Sequence, residues 1–581
     1  MRLTAHNFLE ACTPVKTPAK SLRNAMKWAH RMKRHGGKIL VDQLVAQGVE
    51  RVFSVPGESF LAALDGLYES GIENHVCRQE GGAAMMAEAQ GKLTGKPGIA
   101  FVTRGPGATN AAAGVHIARQ DSTPMILFVG QIARGHRDRE AFQEVDYRAV
   151  FGTLAKWVTE VDQIERLPEY ISRAFHVATS GRPGPVVLAL PEDMLSSIAD
   201  VPDIAPIAPR LVGVADASIS AIRTEIARAK RPLIILGGSK WSKQAAADIA
   251  QFATASDLPI AVDFRRQDYI DNRHPNYIGD LNVGINPALK TRLAEADLLV
   301  ILGARLGDIA TSGYTTIDPT NITTRIVHVH ADPDSLGQVY RPDLALVADT
   351  SEVVAALAAC PPITGPWSEW GAAARADYEA WLKPRTTPGD VKMEEVIAHL
   401  SEVLPEDAIL TNGAGNYAAF LHRYFVYKQH GTQLAPTSGS MGYGFPAAIS
   451  AAISFPEKTV VCLAGDGCFQ MTCNEFSTAM QSGANVITIV ANNGRYGTIR
   501  MHQEMHYPAR VSGTNLINPD FAAFARAYGG HGEVVTKTED FPAAFERARN
   551  CGTPAIIELK LDSEALAPGA TLSEVRARAK A

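Results

Sequence analysis

Thr459 to Arg500 reads TVVCLAGDGCFQMTCNEFSTAMQSGANVITIVANNGRYGTIR. The apolar run Thr459 to Ala464 stops at Gly465-Asp466-Gly467, and a second run, Val486 to Ala491, stops at Asn492-Asn493. Runs of this length and β-branched content predict buried strands. Asn474 to Ser482 between them predicts a helix. A right-handed strand, turn, helix, strand unit brings both polar tips to one sheet edge, where open α/β sheets bind ligands.

Those tips carry a definite chemistry. Asp466 offers a hard carboxylate and Asn493 a neutral amide oxygen, and the glycines let backbone approach a ligand. Mg²⁺ completes such a ligand set with phosphate oxygens and water, so the expected ligand is a diphosphate. A lone Gly-Asp-Gly is usually an ordinary turn. Here it is paired with Asn-Asn after 24 intervening residues, each behind an apolar strand. The pair resembles the signature of thiamine-diphosphate (ThDP) enzymes. The resemblance implies Mg²⁺ held by Asp466, Asn493 and the Arg495 carbonyl, with Gly465, Gly467, Cys468 and Asn492 beside the cofactor.

The totals fit that class. The 581 residues exceed one core and predict about three domains, 46% of residues are apolar and 20% charged, and net charge is −5. No basic patch beyond the N-terminal segment argues for nucleic acid. No apolar run approaches a membrane span. The seven cysteines lack paired short spacings, which fits a reducing, cytoplasmic setting better than a disulfide framework. Residues 1–36 stand apart, with eight Lys or Arg against Glu10 alone. A targeting segment, a disordered extension and an upstream start chosen in place of Met32 all fit that composition.

From residue 37 the pattern alternates helix and strand, which predicts an α/β chain of three doubly wound parallel-sheet domains. Their expected spans are 37–200, 211–362 and 385–565, followed by a charged, loose tail at 566–581. In the first, Cys77-Arg78-Gln79-Glu80-Gly81-Gly82 leads into a helix expected over Ala83 to Leu93. An acid at a helix start interacts favourably with the dipole, worth roughly 0.3–1 kcal/mol, and alone needs no other role. The succession that follows, with Gly105-Pro106-Gly107 and Asp121-Ser122-Thr123-Pro124, resembles the pyrimidine-binding domain of the acetolactate synthase group. There an acid in the place of Glu80 hydrogen-bonds the aminopyrimidine, so that the cofactor's own imino group can take its C2 proton. Gln143 and Lys156 fall on segments that resemble the group's active-site loops, and a 2-oxo acid needs such donors for its carboxylate. Solvated surface residues are the alternative for both. Arg104 and His116 stand where the group has small residues.

The middle block turns on Gly303-Ala304-Arg305-Leu306-Gly307-Asp308. It keeps the Arg of a turn that touches FAD in the synthases and loses the aromatic and one acid; His330 to Asp334 keeps acids suited to a ribose. FAD and a nucleotide-free domain both remain open. In the third block Gly413 to Asn416 is a small-residue turn suited to phosphate, and Gly439 with Met441 resembles the wedge that bends the cofactor. Beyond Asn493 the chain departs from the synthases, and Asn492 to Gly497 looks closer to benzoylformate decarboxylase.

The resemblance therefore implies decarboxylation of a pyruvate-like 2-oxo acid with transfer to a second carbonyl, as in branched-chain amino acid biosynthesis. A non-ligating decarboxylase is the second reading and a non-catalytic subunit the third. It also implies a homodimer or homotetramer, because the family's pyrimidine and diphosphate halves meet across a subunit boundary. The sequence identifies no regulatory subunit.

Overall fold

Long apolar runs such as Met125–Gln131 and Val486–Asn492 are buried along their whole length, which only a sheet covered on both faces provides. The computed structural model describes residues 33–208 and 211–580 and contains three such sheets, each of six parallel strands. Most of the basic N-terminal segment, and with it the choice among its three readings, lies outside the described residues. Arg34–His35 pairs antiparallel with Ile198–Ala199, so the first domain starts slightly ahead of residue 37.

The first sheet runs, edge to edge, Glu73–Val76, Arg51–Ser54, Gly98–Val102, Met125–Gln131, Pro185–Pro191 and Trp157–Glu160. The third runs Gln433–Leu434, β1 (Ile409–Asn412), β2 (Val460–Gly465), β3 (Val486–Asn492), Ala555–Lys560 and His531–Val535. Counted along the chain, both have the order 2-1-3-4-6-5. The middle sheet, built on Pro232–Leu236 and Leu298–Leu302, has the order 3-2-1-4-5-6 instead. That is the order of dinucleotide-binding sheets.

Helix α1 (Glu80–Thr94) begins at Glu80 and not at Ala83. Gly81 and Gly82 argue against helix by propensity. The Gln79 side chain caps them, accepting their N–H groups at 2.6 and 3.2 Å, and Gly82 packs so closely that a Cβ there would sit 2.5 Å from Glu475 Oε1. Helix α1 lies against α3 (Gly444–Ser454) in a core shared by the first and third domains. Tyr443 donates to Glu88 at 2.5 Å and Ser450 to the Met86 carbonyl at 2.8 Å.

The C-terminal end of α2 (Ala112–Asp121) ties all three domains together. Arg182, Arg305 and Arg266 donate in turn to the carbonyls of Arg119, Gln120 and Asp121, at 2.7, 3.0 and 3.3 Å. Three guanidinium groups offset the negative end of the helix. The Asp121 carboxylate meets Lys92 and accepts Thr437 N–H at 2.7 Å.

Candidate active site

In the third sheet the strand order reverses between β1 and β2, which opens a crevice at their C-terminal tips. Ala414, Gly415 and Asn416 follow β1, Asp466, Gly467 and Cys468 follow β2, and Asn493 and Arg495 follow β3. With Gly439, Met441 and Gly465 they line one cleft of about 240 Å³. The two motifs that the sequence places on one edge thus share a wall.

Asp466 is 3% exposed. Its Oδ1 accepts Gly467 N–H at 2.8 Å, and its Oδ2 accepts Gly494 N–H at 2.9 Å and the Asn518 amide at 2.7 Å. Burial pushes its carboxyl above the usual range, a direction that a nearby cation reverses. Asn493 Oδ1 accepts Arg495 N–H at 3.2 Å. Among the described residues no cluster of three His, Cys, Asp or Glu side chains is placed to hold a metal. The donors here are one carboxylate, one amide oxygen and backbone carbonyls, a set that binds a hard cation only when a ligand brings further oxygens. These residues fit Mg²⁺ with a diphosphate.

Glycine is required around them. A Cβ on Gly465 would fall 2.8 Å from the Tyr417 ring, and one on Gly467 2.5 Å from the Tyr496 ring. Cys468 is buried, and its Sγ accepts from the Tyr417 hydroxyl and Gly442 N–H, each at 3.2 Å. Gly413 lies directly behind it and does not line the cleft; its Cβ would meet Cys468 Sγ at 2.5 Å. Asn492 also stands behind the wall. It donates to buried Glu558 at 2.5 Å and accepts from Asn518 at 2.8 Å. Asn518 links Asp466 to Asn492, and no periodic or motif signal in its loop announces it.

Helix α4 (Gly497–His506) closes the mouth. Thr498 donates to Asn416 Oδ1 at 3.0 Å and accepts Asn416 N–H at 2.9 Å, while Ile499 lines the cleft. The tail is docked, not loose: in α5 (Leu572–Lys580), Arg576 holds the fully buried Glu504 of α4 at 2.7 and 2.8 Å. Leu566, 3% exposed, reaches the cleft wall.

The first domain holds its candidates elsewhere. Glu80 is half-buried and accepts from Asn110 at 3.0 Å. A Cβ on Gly107 would lie 3.2 Å from Glu80 Oε1 and one on Gly105 2.8 Å from Gln143 Cβ, so Glu80 and Gln143 flank one turn. Gln143 has φ of 65°. Lys156 is not with them. Its ammonium donates to the carbonyls of Val177 and Ser180 at 2.6 and 2.7 Å, at the end of helix Leu167–Thr179, and burial lowers it to about 8. Buried Arg104 pairs with Glu58 and Glu192 at 2.8 and 3.0 Å, and His116 is exposed. None of these side chains lines the third-domain cleft of the same chain.

Glu475 nevertheless fixes the edge that carries Glu80. Its two oxygens accept Arg78 N–H at 3.2 and 3.1 Å, at the end of the strand before α1. Glu80, two residues on, does not line its own chain's cleft.

Family models described as the N-terminal TPP binding, central and C-terminal TPP binding domains of thiamine pyrophosphate enzymes match residues 34–150, 219–357 and 413–559. The chain is 31% identical to "Acetolactate synthase isozyme 2 large subunit" of Escherichia coli, over 93% of this chain and 99% of that protein. It is 30% identical to "Acetolactate synthase large subunit" of Corynebacterium glutamicum, over 91% and 87%. To "Acetolactate synthase catalytic subunit, mitochondrial" of Saccharomyces cerevisiae it is 29% identical, over 91% and 81%. With three matched domains and likeness to these enzymes across most of the chain, the chain belongs to the thiamine pyrophosphate enzyme family, as an acetolactate synthase-like transferase.

Proposed function

We propose that the protein uses ThDP and Mg²⁺ to decarboxylate a pyruvate-like 2-oxo acid and to pass the remaining fragment to a second carbonyl. The observation that carries this reading is the shared wall of Asp466, Asn493 and Met441. ThDP supplies, when bound, an electron sink for the charge left by loss of CO₂. The chain's residues do the rest. Asp466, Asn493 and the Arg495 carbonyl would hold the cation, the N–H groups of Ala414 and Gly415 would be open to the diphosphate, and Met441 would stand at the ring end. Glu80 would hydrogen-bond the pyrimidine end.

Because Glu80 does not reach its own cleft, a complete site needs a second copy that presents its first domain. Met471, Ile499 and Ile517, which are 51%, 54% and 101% exposed, are apolar residues on the segments around the cleft that such a copy would cover. A homodimer is the smallest assembly this reading allows.

The flavin fits less well. The middle sheet has a dinucleotide-type order, but the Arg305 guanidinium is donated to the Gln120 carbonyl and Leu306 replaces the aromatic. We read the middle domain's arginines as joints to the first domain, and the visible spectrum of the purified protein tests this by the presence or absence of a flavin band.

A simple decarboxylase remains the second reading, favoured by α4, where Thr498 and Ile499 stand at the mouth without the pocket residues of the synthases. Product analysis separates the two. Pyruvate alone, or pyruvate with 2-oxobutyrate, gives acetohydroxy acids if the fragment is transferred and free aldehyde if a proton ends the cycle.

A further inference from the structure

Arg265 comes from the middle domain, is 5% exposed and has no carboxylate within ion-pair distance among the described residues. Its guanidinium forks. One arm donates to the Pro436 carbonyl and the other to the Gly413 carbonyl at 3.0 Å, while Nε has no partner. Burial disfavours its charge, with Asp121 acting on it only at a distance, and a buried cation without a direct ion-pair partner is costly. The two carbonyls it grips belong to the turns that become the cleft wall: Gly413 precedes Ala414, and Pro436 begins the turn to Gly439 and Met441.

A trans peptide points its C=O and N–H in opposite directions. The Gly413 carbonyl is drawn back by Arg265 and by the Asn412 amide, at 3.0 and 2.8 Å. The Ala414 N–H on the same peptide therefore faces the cleft, and neither it nor Gly415 N–H meets a protein acceptor among the described residues. A donor pair with a buried guanidinium behind it that makes no direct ion pair among the described residues is a receptor for an anion.

We propose that Arg265 positions and charges the diphosphate end of the cleft, so that the third domain's phosphate cradle is completed by a middle-domain residue. This rests on the cofactor reading above. Arg265 touches no ligand itself; it acts through the Gly413 and Pro436 carbonyls and through its field.

The test uses the full-length protein and two probes, Mg²⁺·ThDP and Mg²⁺·pyrophosphate, with affinities read by calorimetry. Arg265→Gln should weaken both by a similar factor, about tenfold or more, because the loss lies at the diphosphate end. Weakening of ThDP without pyrophosphate, or of neither, overturns the proposal. If Arg265→Gln does not fold, Arg265→Lys keeps the charge but cannot grip both carbonyls; it should weaken both probes by a few-fold, and unchanged affinity overturns the proposal. Wild-type protein that binds neither probe would overturn the cofactor reading first, and this inference with it.

Discussion

Asn518 donates to Asp466 at 2.7 Å and also to Asn492 at 2.8 Å, so one amide in the loop after α4 orients the Asp466 carboxylate proposed to hold Mg²⁺. Groups of this kind typically contribute 10–100-fold to metal affinity. Asn518→Ala should accordingly raise the Mg²⁺ concentration needed for ThDP binding by at least about tenfold, measured by cofactor titration at fixed ThDP. An unchanged Mg²⁺ requirement would remove Asn518 from the site.

Glu80→Gln should leave Mg²⁺·ThDP affinity within a few-fold while turnover falls by roughly 100-fold or more, the usual scale for losing a positioned proton donor. Binding by calorimetry and turnover by CO₂ release would be read on the same preparation. Undiminished turnover contradicts the assigned role.

The tail predicts an acid-sensitive step. Arg576, the Ala509 N–H and Arg500 hold the Glu504 carboxyl down to about 2, below its usual range. A depressed carboxyl contributes stability that is present above its unfolded value, near 4.3, and is lost as pH falls toward 2, because there the unfolded chain binds more protons. Thermal denaturation scans between pH 6 and 3 should show wild type losing more stability than Glu504→Gln. Parallel curves would mean that the α4–α5 contact contributes little.

Glu475→Ala should destabilise the joint between first and third domains by about 1–3 kcal/mol, the scale of a buried N–H left without its acceptor. Chemical denaturation measures it. Gly82→Ala should destabilise as well, since its Cβ would crowd Glu475 at 2.5 Å.

Most of the architecture was legible because parallel strands buried on both faces leave unbroken apolar runs. Val486–Asn492 ends within a residue of where its composition changes. The strand-tip positions of Asp466 and Asn493 were legible because each directly follows such a run. What the sequence could not show depends on distant partners. Helix α1 starts early because Gln79 caps it and Glu475, far along the chain, fits against Gly82. Lys156 reads as a loop cation until helix Leu167–Thr179 folds over it and supplies two carbonyls. Asn492 carries the motif, but its amide is spent on Glu558. The tail looks loose in composition because its anchor, Glu504, sits in another helix.

If this cleft binds a diphosphate through a cation held by Asp466 and Asn493, ThDP affinity must depend on that cation. Calorimetric titration of the metal-free protein with ThDP, with and without Mg²⁺, tests it most directly. Saturable binding is expected that requires the cation and that falls at least about tenfold in Asp466→Asn. Binding that is absent in the wild type, independent of Mg²⁺, or unaffected by that substitution would contradict it.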